Sequence, residues 1–103
     1  MTNPANGLEP LFNAPTRLQI TAFLSGVAEA EFAVLRDMAG VSDSVLSKQL
    51  SALSDVGLVE LRKSKLDGRQ RTWAALTRKG RKSFAAHVAA LQQLVQMAAR
   101  AAE

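Results

Sequence analysis

The sequence predicts one mostly α-helical domain over residues 8–103 that carries a small β-hairpin, an α+β fold. Apolar residues recur at helical spacing along most of the chain, whereas residues 58–76 alternate around an Asp67-Gly68 pair that favours a tight hairpin turn. The 103 residues, 48% hydrophobic and 21% charged, are typical of one small globular domain. Nine of the 13 Lys and Arg fall between residues 60 and 82 with only two acids, so the positive charge is concentrated around the hairpin.

The N-terminal part of the chain predicts two short helices. Residues 1–7 show no apolar periodicity, and we expect a flexible tail there. Pro15 suits the first position of a helix over 15–25, because its missing N–H would be unpaired in any case. Residues 29–32 fit either a short strand or a connector, and a second helix is expected over 32–38.

A third helix over 42–56 presents two different faces. Ser42 is a good N-cap, and the apolar residues Val45, Leu46, Leu50 and Leu53 are expected to face inward. The opposite face is rich in serine, a weaker helix former than Glu or Lys, and such breaks of local preference are most frequent at functional sites. These candidate contact residues are Ser42, Ser44, Ser47, Lys48 and Ser51.

The hairpin is expected to have strands over 58–63 and 71–76, with Val59 and Leu61 turned inward. The pattern leaves open which face carries Trp73. Five cations surround the turn and face a single acid, Asp67, so the tip favours an anionic partner. Contact with phosphates or a minor groove competes with a charged tip that merely prevents edge pairing. The cations are Arg62, Lys63, Lys65, Arg69 and Arg71.

Thr77 is the expected N-cap of a long helix over 78–101. About 24 residues give a helix of roughly 36 Å, longer than the rest of so small a chain can cover. Its apolar residues follow a 4-3-4-3 spacing, which predicts a contact with a second copy. The predicted dimer interface comprises Leu8, Leu11, Phe12, Phe84, Val88, Leu91, Leu94, Val95 and Ala98.

Four cations stand near the start of this long helix, and the sequence favours neither of two roles for them. Arg78, Lys79, Arg81 and Lys82 would oppose the helix dipole, a cost that contact with phosphates would offset; the alternative is a solvated cluster. His87, beside the apolar seam, is expected to be packed rather than catalytic.

The composition excludes several classes of function. The chain has no Cys and one His, so we expect no metal site, no thiol chemistry and no cofactor. It also lacks a phosphate-cradling glycine loop and a dense carboxylate pair, which argues against an enzyme. No apolar run reaches 18 residues, so we expect no membrane span and a cytoplasmic location.

Three short helices, a basic hairpin and a long helix make a winged helix-turn-helix arrangement. In this order the sequence resembles the short, single-domain regulators related to the MarR-like transcription factors, over about residues 8–92. The resemblance is carried by Leu-Phe-Asn-Ala-Pro-Thr-Arg-Leu-Gln-Ile at 11–20, by Leu-Ser-Lys-Gln-Leu at 46–50 with Leu53 and Gly57-Leu58-Val59, and by Arg-Gln-Arg-Thr-Trp at 69–73 with Leu76-Thr77 and Gly80.

The resemblance implies a sequence-specific regulator that binds double-stranded DNA as a homodimer, and a repressor is the expected form. Helix 42–56 would enter the major groove, and the wing 62–71 would contact the minor groove or phosphates through Lys63, Lys65, Arg69 and Arg71. A small-molecule effector of unidentified class remains open. The alternative is a winged-helix module that binds a partner protein without specific DNA binding.

Overall fold

The chain forms four helices and a three-stranded antiparallel sheet, which confirms the predicted fold class. The computed structural model describes residues 4–103, and two 3-10 helices, Pro4–Gly7 and Pro10–Asn13, precede the first α-helix. The strands lie in the order β1-β3-β2. The elements are α1 (Pro15–Ser25), β1 (Ala30–Glu31), α2 (Phe32–Ala39), α3 (Asp43–Asp55), β2 (Val59–Leu66), β3 (Arg69–Leu76) and α4 (Arg78–Ala101).

The core forms around α1, which packs against α2, α3, α4 and β3. Thr21 is buried with its hydroxyl satisfied, because Oγ1 donates to the carbonyl oxygen of Arg17 at 2.8 Å. Burial of this apolar cluster is the main source of stability in a domain of this size. Its members include Phe12, Ile20, Leu24, Leu35, Leu46, Leu50, Leu53, Leu58, Val59, Ala74 and Leu76.

Helices α2 and α3 form the helix-turn-helix unit. Gly40 follows α2 in the left-handed conformation, at φ +65°, and its N–H donates to the carbonyl of Arg36. The hydroxyl of Ser42 accepts from the N–H of Val45 at 3.2 Å, so the predicted N-cap is confirmed. Arg36 joins the two helices by pairing with Asp43 at 3.1 Å. Its hydrogen bond with Asp43, supported by Asp37, raises the pKa of Arg36.

The hairpin, which we call the wing, is longer than the sequence suggested. Asp67 and Gly68 both have positive φ, +53° and +76°, and form a two-residue turn of type I′. Because only these two residues form the loop, both strands extend to the turn and have eight residues each. The segment at 29–32 proves to be a strand at 30–31, paired with β3 through Ala30↔Ala74 and Glu31↔Trp73.

Two apolar residues that were expected to face inward are exposed. Val45 is 40% exposed, because it lies about 100° around α3 from the buried Leu46. Leu61 is 38% exposed, because it stands where the wing leaves the body of the domain and is opposed only by the small Ala74. Both predictions were wrong for reasons of neighbouring structure rather than of local pattern.

The N-terminal segment packs on α4, so the predicted flexible tail is wrong for residues 4–7; residues 1–3 lie outside the described residues. A Cβ at Gly7 would stand 2.7 Å from the carbonyl oxygen of Ala86, which shows how closely the chain approaches the helix. The N–H of Glu9 donates to Nδ1 of His87 at 3.0 Å. Irregular backbone held by individual contacts of this kind carries no periodic signal.

Part of the predicted dimer interface lies inside the chain's own core. Phe12 is only 1% exposed, and its ring packs edge-on against Phe84 at 5.9 Å and His87 at 5.1 Å. Leu11 and Phe84 also pack against the core, and Leu8 is half-buried. Phe12 is therefore removed from the interface. The spacing was read correctly as apolar, but a pattern does not distinguish an internal partner from a second copy.

The start of α4 is fixed to the end of α3. Thr77 is the predicted N-cap: its hydroxyl accepts from the N–H of Gly80 at 2.9 Å and donates to the carbonyl of Gly57 at 2.6 Å. The N–H of Thr77 donates to the carbonyl of Leu58 at 3.1 Å. Gly80 is required because a Cβ there would overlap that same Leu58 carbonyl.

We expect Gly80→Ala to lower the free energy of unfolding by about 2 kcal/mol or more, because the new methyl group must push α4 away from Leu58. Gly26→Ala is the matched control, since its Cβ would meet the nearest atom at an ordinary 3.6 Å and φ is −95°. Urea unfolding followed by circular dichroism measures both. Equal midpoints for the two variants would contradict the close approach.

Candidate nucleic-acid interface

The outer face of α3 is exposed along its whole length. Ser44, Ser47, Lys48 and Ser51 are all exposed, while Leu46 and Leu50 on the opposite side are buried. Ser42 is also exposed, but its hydroxyl is already engaged by the N-cap bond and lies 3.3 Å from Oγ of Ser44. The face therefore offers three serine hydroxyls beyond the cap and one ammonium group, which bond both base edges and phosphates.

The wing has two faces, which its strand register defines. Lys63 is paired with Thr72 and Lys65 with Gln70, so these four side chains share the inner face, on the side of α3. Arg62 is paired with Trp73 and Ser64 with Arg71, which form the outer face. Arg69 stands beside the turn, opposite Leu66.

An open cleft of about 200 Å³ separates the inner face of the wing from α3. Its floor is apolar, with Phe32, Leu50 and Leu61, and its rim carries Ser47, Ser51, Lys63 and Thr72. A second cleft of about 380 Å³ shares Phe32, Ser47 and Thr72 and continues to Asp43 and the Glu31–Arg71 pair. The structure thus brings the serine face of α3 and the inner wing to the two sides of one groove.

The wing cations differ in whether they are already paired. Nη2 of Arg62 lies 2.9 and 3.0 Å from the two carboxylate oxygens of Glu29, and Nη1 of Arg71 lies 3.2 Å from Glu31. Within the described residues, Lys63, Lys65 and Arg69 form no ion pair. The expectation of five cations facing one acid was therefore wrong, because the neutralising acids lie 33 and 40 residues away in sequence.

Trp73, whose face the sequence left open, lies half-buried on the outer side of the wing. Its Nε1–H donates to Oγ of Ser64 at 3.2 Å, and the guanidinium of Arg62 lies 5.6 Å from its ring centroid. The indole is engaged by the wing's own residues. It is therefore a packing element and not a free stacking platform.

Two cations at the start of α4 have a role that the sequence did not suggest. Nζ of Lys79 donates to the carbonyl of Val56, at the end of α3, at 2.7 Å. Arg81 donates to the carbonyls of Ser25 and Val27, at the end of α1, at 3.3 and 3.0 Å. Each cation satisfies carbonyls at the negative end of a helix dipole.

The other two cations of this cluster are accessible. Arg78 and Lys82 are exposed, and they line a shallow surface depression with Ser83 and Ala86. Neither forms a hydrogen bond or ion pair with the rest of the described chain. Contact with phosphates and simple solvation remain the two alternatives for them.

His87 is packed, as predicted: it is 2% exposed, and Nδ1 accepts from the backbone of Glu9. In the part of the chain that the structure covers, no three His, Asp or Glu side chains form a group able to hold a metal ion. No helix among residues 4–103 combines the length and the apolar character needed to cross a membrane.

Known proteins share this fold and this arrangement. A family model described as a winged helix DNA-binding domain matches residues 16–95. The uncharacterized protein MJ0432 of Methanocaldococcus jannaschii is 34% identical over 84 residues, which cover 82% of this chain and 91% of that protein. The transcriptional regulator homologue from Pyrococcus horikoshii OT3 is 24% identical with a TM-score of 0.78, covering 84% of this chain and 85% of that one. A MarR family transcriptional regulator from Silicibacter pomeroyi DSS is 29% identical with a TM-score of 0.66, covering 81% of this chain and 54% of that one.

We expect Lys79→Met to lower the free energy of unfolding by a few tenths to about 1 kcal/mol, because it leaves the end of α3 without its capping ammonium. Arg78→Met is the matched control, since it removes a neighbouring cation from the same helix start without breaking a bond. Thermal unfolding of both variants isolates the Val56 contact. A stability of Lys79→Met equal to or above that of Arg78→Met would contradict the cap.

Proposed function

The chain belongs to the winged helix DNA-binding domain family and is MarR-like, and from this premise we propose that it is a homodimeric repressor that binds specific sequences of double-stranded DNA. The family confirms the expectation of a DNA-binding regulator rather than an enzyme. Sequence specificity, the dimer, repression and a cytoplasmic location are the parts that this proposal adds.

One observation carries the proposal: the serine face of α3 and the unpaired inner-wing lysines flank the same groove. An α-helix fits the major groove of B-DNA, where Lys48 would reach guanine or a phosphate and the hydroxyls would bond base edges. Lys63 and Lys65 would then meet the phosphates beside that groove. Arg69, at the tip, would reach the next phosphates or the minor groove.

The homodimer is supported by the far end of α4. The rest of the described chain buries α4 only as far as Ala90, and beyond it Leu91, Val95 and Met97 are 39%, 68% and 49% exposed. We call Leu91, Leu94, Val95, Met97 and Ala98 the distal apolar face. A second copy would bury this face and place two copies of α3 about one DNA turn (~34 Å) apart, so that each dimer reads two half-sites.

Repression follows from this geometry if the dimer covers a promoter, since a bound protein of this size excludes other proteins from the same DNA. A small-molecule effector is not part of the proposal, because no residue pattern in the open clefts beside α3 specifies a ligand class.

We expect the protein to bind a labelled duplex from the region upstream of its own gene more tightly than a scrambled duplex of equal length. Fluorescence anisotropy at several salt concentrations measures this, and log affinity should fall steeply against log salt. Arg69→Ala should weaken binding to both duplexes and reduce the magnitude of the salt slope by about 1, whereas Lys48→Ala should mainly reduce the preference for one sequence.

Arg100→Ala is the control for the loss of one positive charge, because this exposed residue lies in the last turn of α4. Its binding should remain close to that of the wild type. An Arg69→Ala variant with unchanged affinity and slope would remove the wing from the model. A protein that binds neither duplex, even at low salt, would support the protein-interaction module instead.

We expect Val95→Glu to convert the dimer to a monomer, because it places a charge in the centre of the distal apolar face without disturbing the monomer core. Gln93→Glu introduces the same group on an exposed position of the same helix outside that face and should remain dimeric. Sedimentation velocity measures both masses. A monomeric wild type, or a dimeric Val95→Glu variant, would contradict this interface.

A further inference from the structure

Two ion pairs connect the outer face of the wing to the residues just before α2. Arg62 pairs with Glu29, and Arg71 pairs with Glu31. Resting on the proposed DNA binding, we propose that Glu29 and Glu31 are positioning residues for that activity: they hold both arginines within the protein and so fix the direction of the wing relative to α3. In this arrangement Arg62 and Arg71 do not contact phosphates.

The first pair crosses the whole sheet. Arg62 on β2, Trp73 on β3 and Glu31 on β1 stand in one register row, with β3 in the middle. Neighbouring strands lie roughly 4.8 Å apart, so Arg62 reaches across two strand spacings, about 10 Å. Its guanidinium lies over the Trp73 ring and donates to both oxygens of Glu29, which stands just before β1.

The indole that supports this crossing is itself held in place. Trp73 Nε1–H donates to Ser64 on β2, so the ring is joined to the neighbouring strand at a second point. An arginine extended over a fixed aromatic ring loses fewer conformations on pairing than a free surface arginine does. The pair is therefore better ordered than an ordinary exposed salt bridge.

The second pair joins β3 to the helix-turn-helix unit. Nη1 of Arg71 lies 3.3 and 3.2 Å from the oxygens of Glu31, and the two side chains are only 34% and 23% exposed. Glu31 is the N-cap residue of α2, where its side chain makes no capping bond. At the other end of α2, Arg36 pairs with Asp43 in the first turn of α3. Ion pairs at both ends of α2 thus link the wing to the start of the recognition helix.

Side-chain pairs are needed here because the backbone connection is short. β1 contributes only two residue pairs to the sheet, whereas β2 and β3 continue for several residues past its end. The part of the wing that carries Lys63, Lys65 and Arg69 therefore projects with little support from the sheet. The two ion pairs act near the base of this projection, where a small change in angle moves the tip furthest.

The same pairs decide which groups face the DNA. Glu29 and Glu31 would repel phosphates if they were free, but each is neutralised by its arginine. The remaining net positive charge of the wing comes from the cations on its inner face and tip. The sequence-based assignment of Arg71 to DNA contact is replaced by this positioning role.

The test reverses the charges of the Glu29–Arg62 pair. Arg62→Glu alone should weaken binding to the preferred duplex by about three- to five-fold, the range set by one well-ordered surface ion pair. Adding Glu29→Arg restores an ion pair with the charges exchanged, and we expect affinity to return towards that of the wild type with the salt slope of the wild type. Lys63→Glu combined with Glu29→Arg is the control, because these residues do not pair, and it should show no recovery.

Thermal unfolding of every variant separates a loss of fold from a loss of position. A folded double variant that remains as weak as Arg62→Glu, with a reduced salt slope, would show that Arg62 contacts a phosphate and would overturn the inference alone. A wild-type protein that binds no duplex would overturn the proposed function, and the inference with it. Recovery by the exchanged pair supports positioning, since a lost phosphate contact is not restored by a cation on another strand.

Discussion

The close approach of α4 to the Gly57–Leu58 segment is the constraint on which the rest of the structure depends. Three elements meet there: the end of α3, the start of β2 and the first turn of α4. The Leu58 carbonyl accepts the Thr77 N–H, and Gly80 alone leaves room for that carbonyl beside the helix. Because β2 begins at this junction, the position of the wing and the position of the long helix are both set relative to α3.

The basic residues of this chain have three different physical roles although they form one run in sequence. Lys79 and Arg81 satisfy carbonyls at the ends of α3 and α1, Arg62 and Arg71 pair with acids, and the inner-wing and tip cations remain unpaired. A count of charges therefore overstates the number available to an anionic partner. What distinguishes the three roles is the position of the partner, which is distant in sequence in every case.

The predictable part of this structure is the part whose cause is local. Helix α3, the type I′ turn and the Thr77 cap follow from residue spacing and from residues with a single preferred conformation, so the outer face of α3 could be anticipated. The packing of Phe12 against His87 and the pairing of Arg62 with Glu29 depend on chain segments tens of residues apart. No spacing rule contains that information, which is why the flexible tail and the five free cations were misjudged.

Helix α4 connects the two halves of the proposed activity. Its first half is built into the core and fastened to the ends of α1 and α3, while its second half projects with the distal apolar face uncovered. A rigid helix transmits a displacement at one end to the other. A second copy bound at the far end would therefore fix the separation and tilt of both α3 helices, and any change in the angle between the two α4 helices would move the recognition helices out of register with the DNA turn.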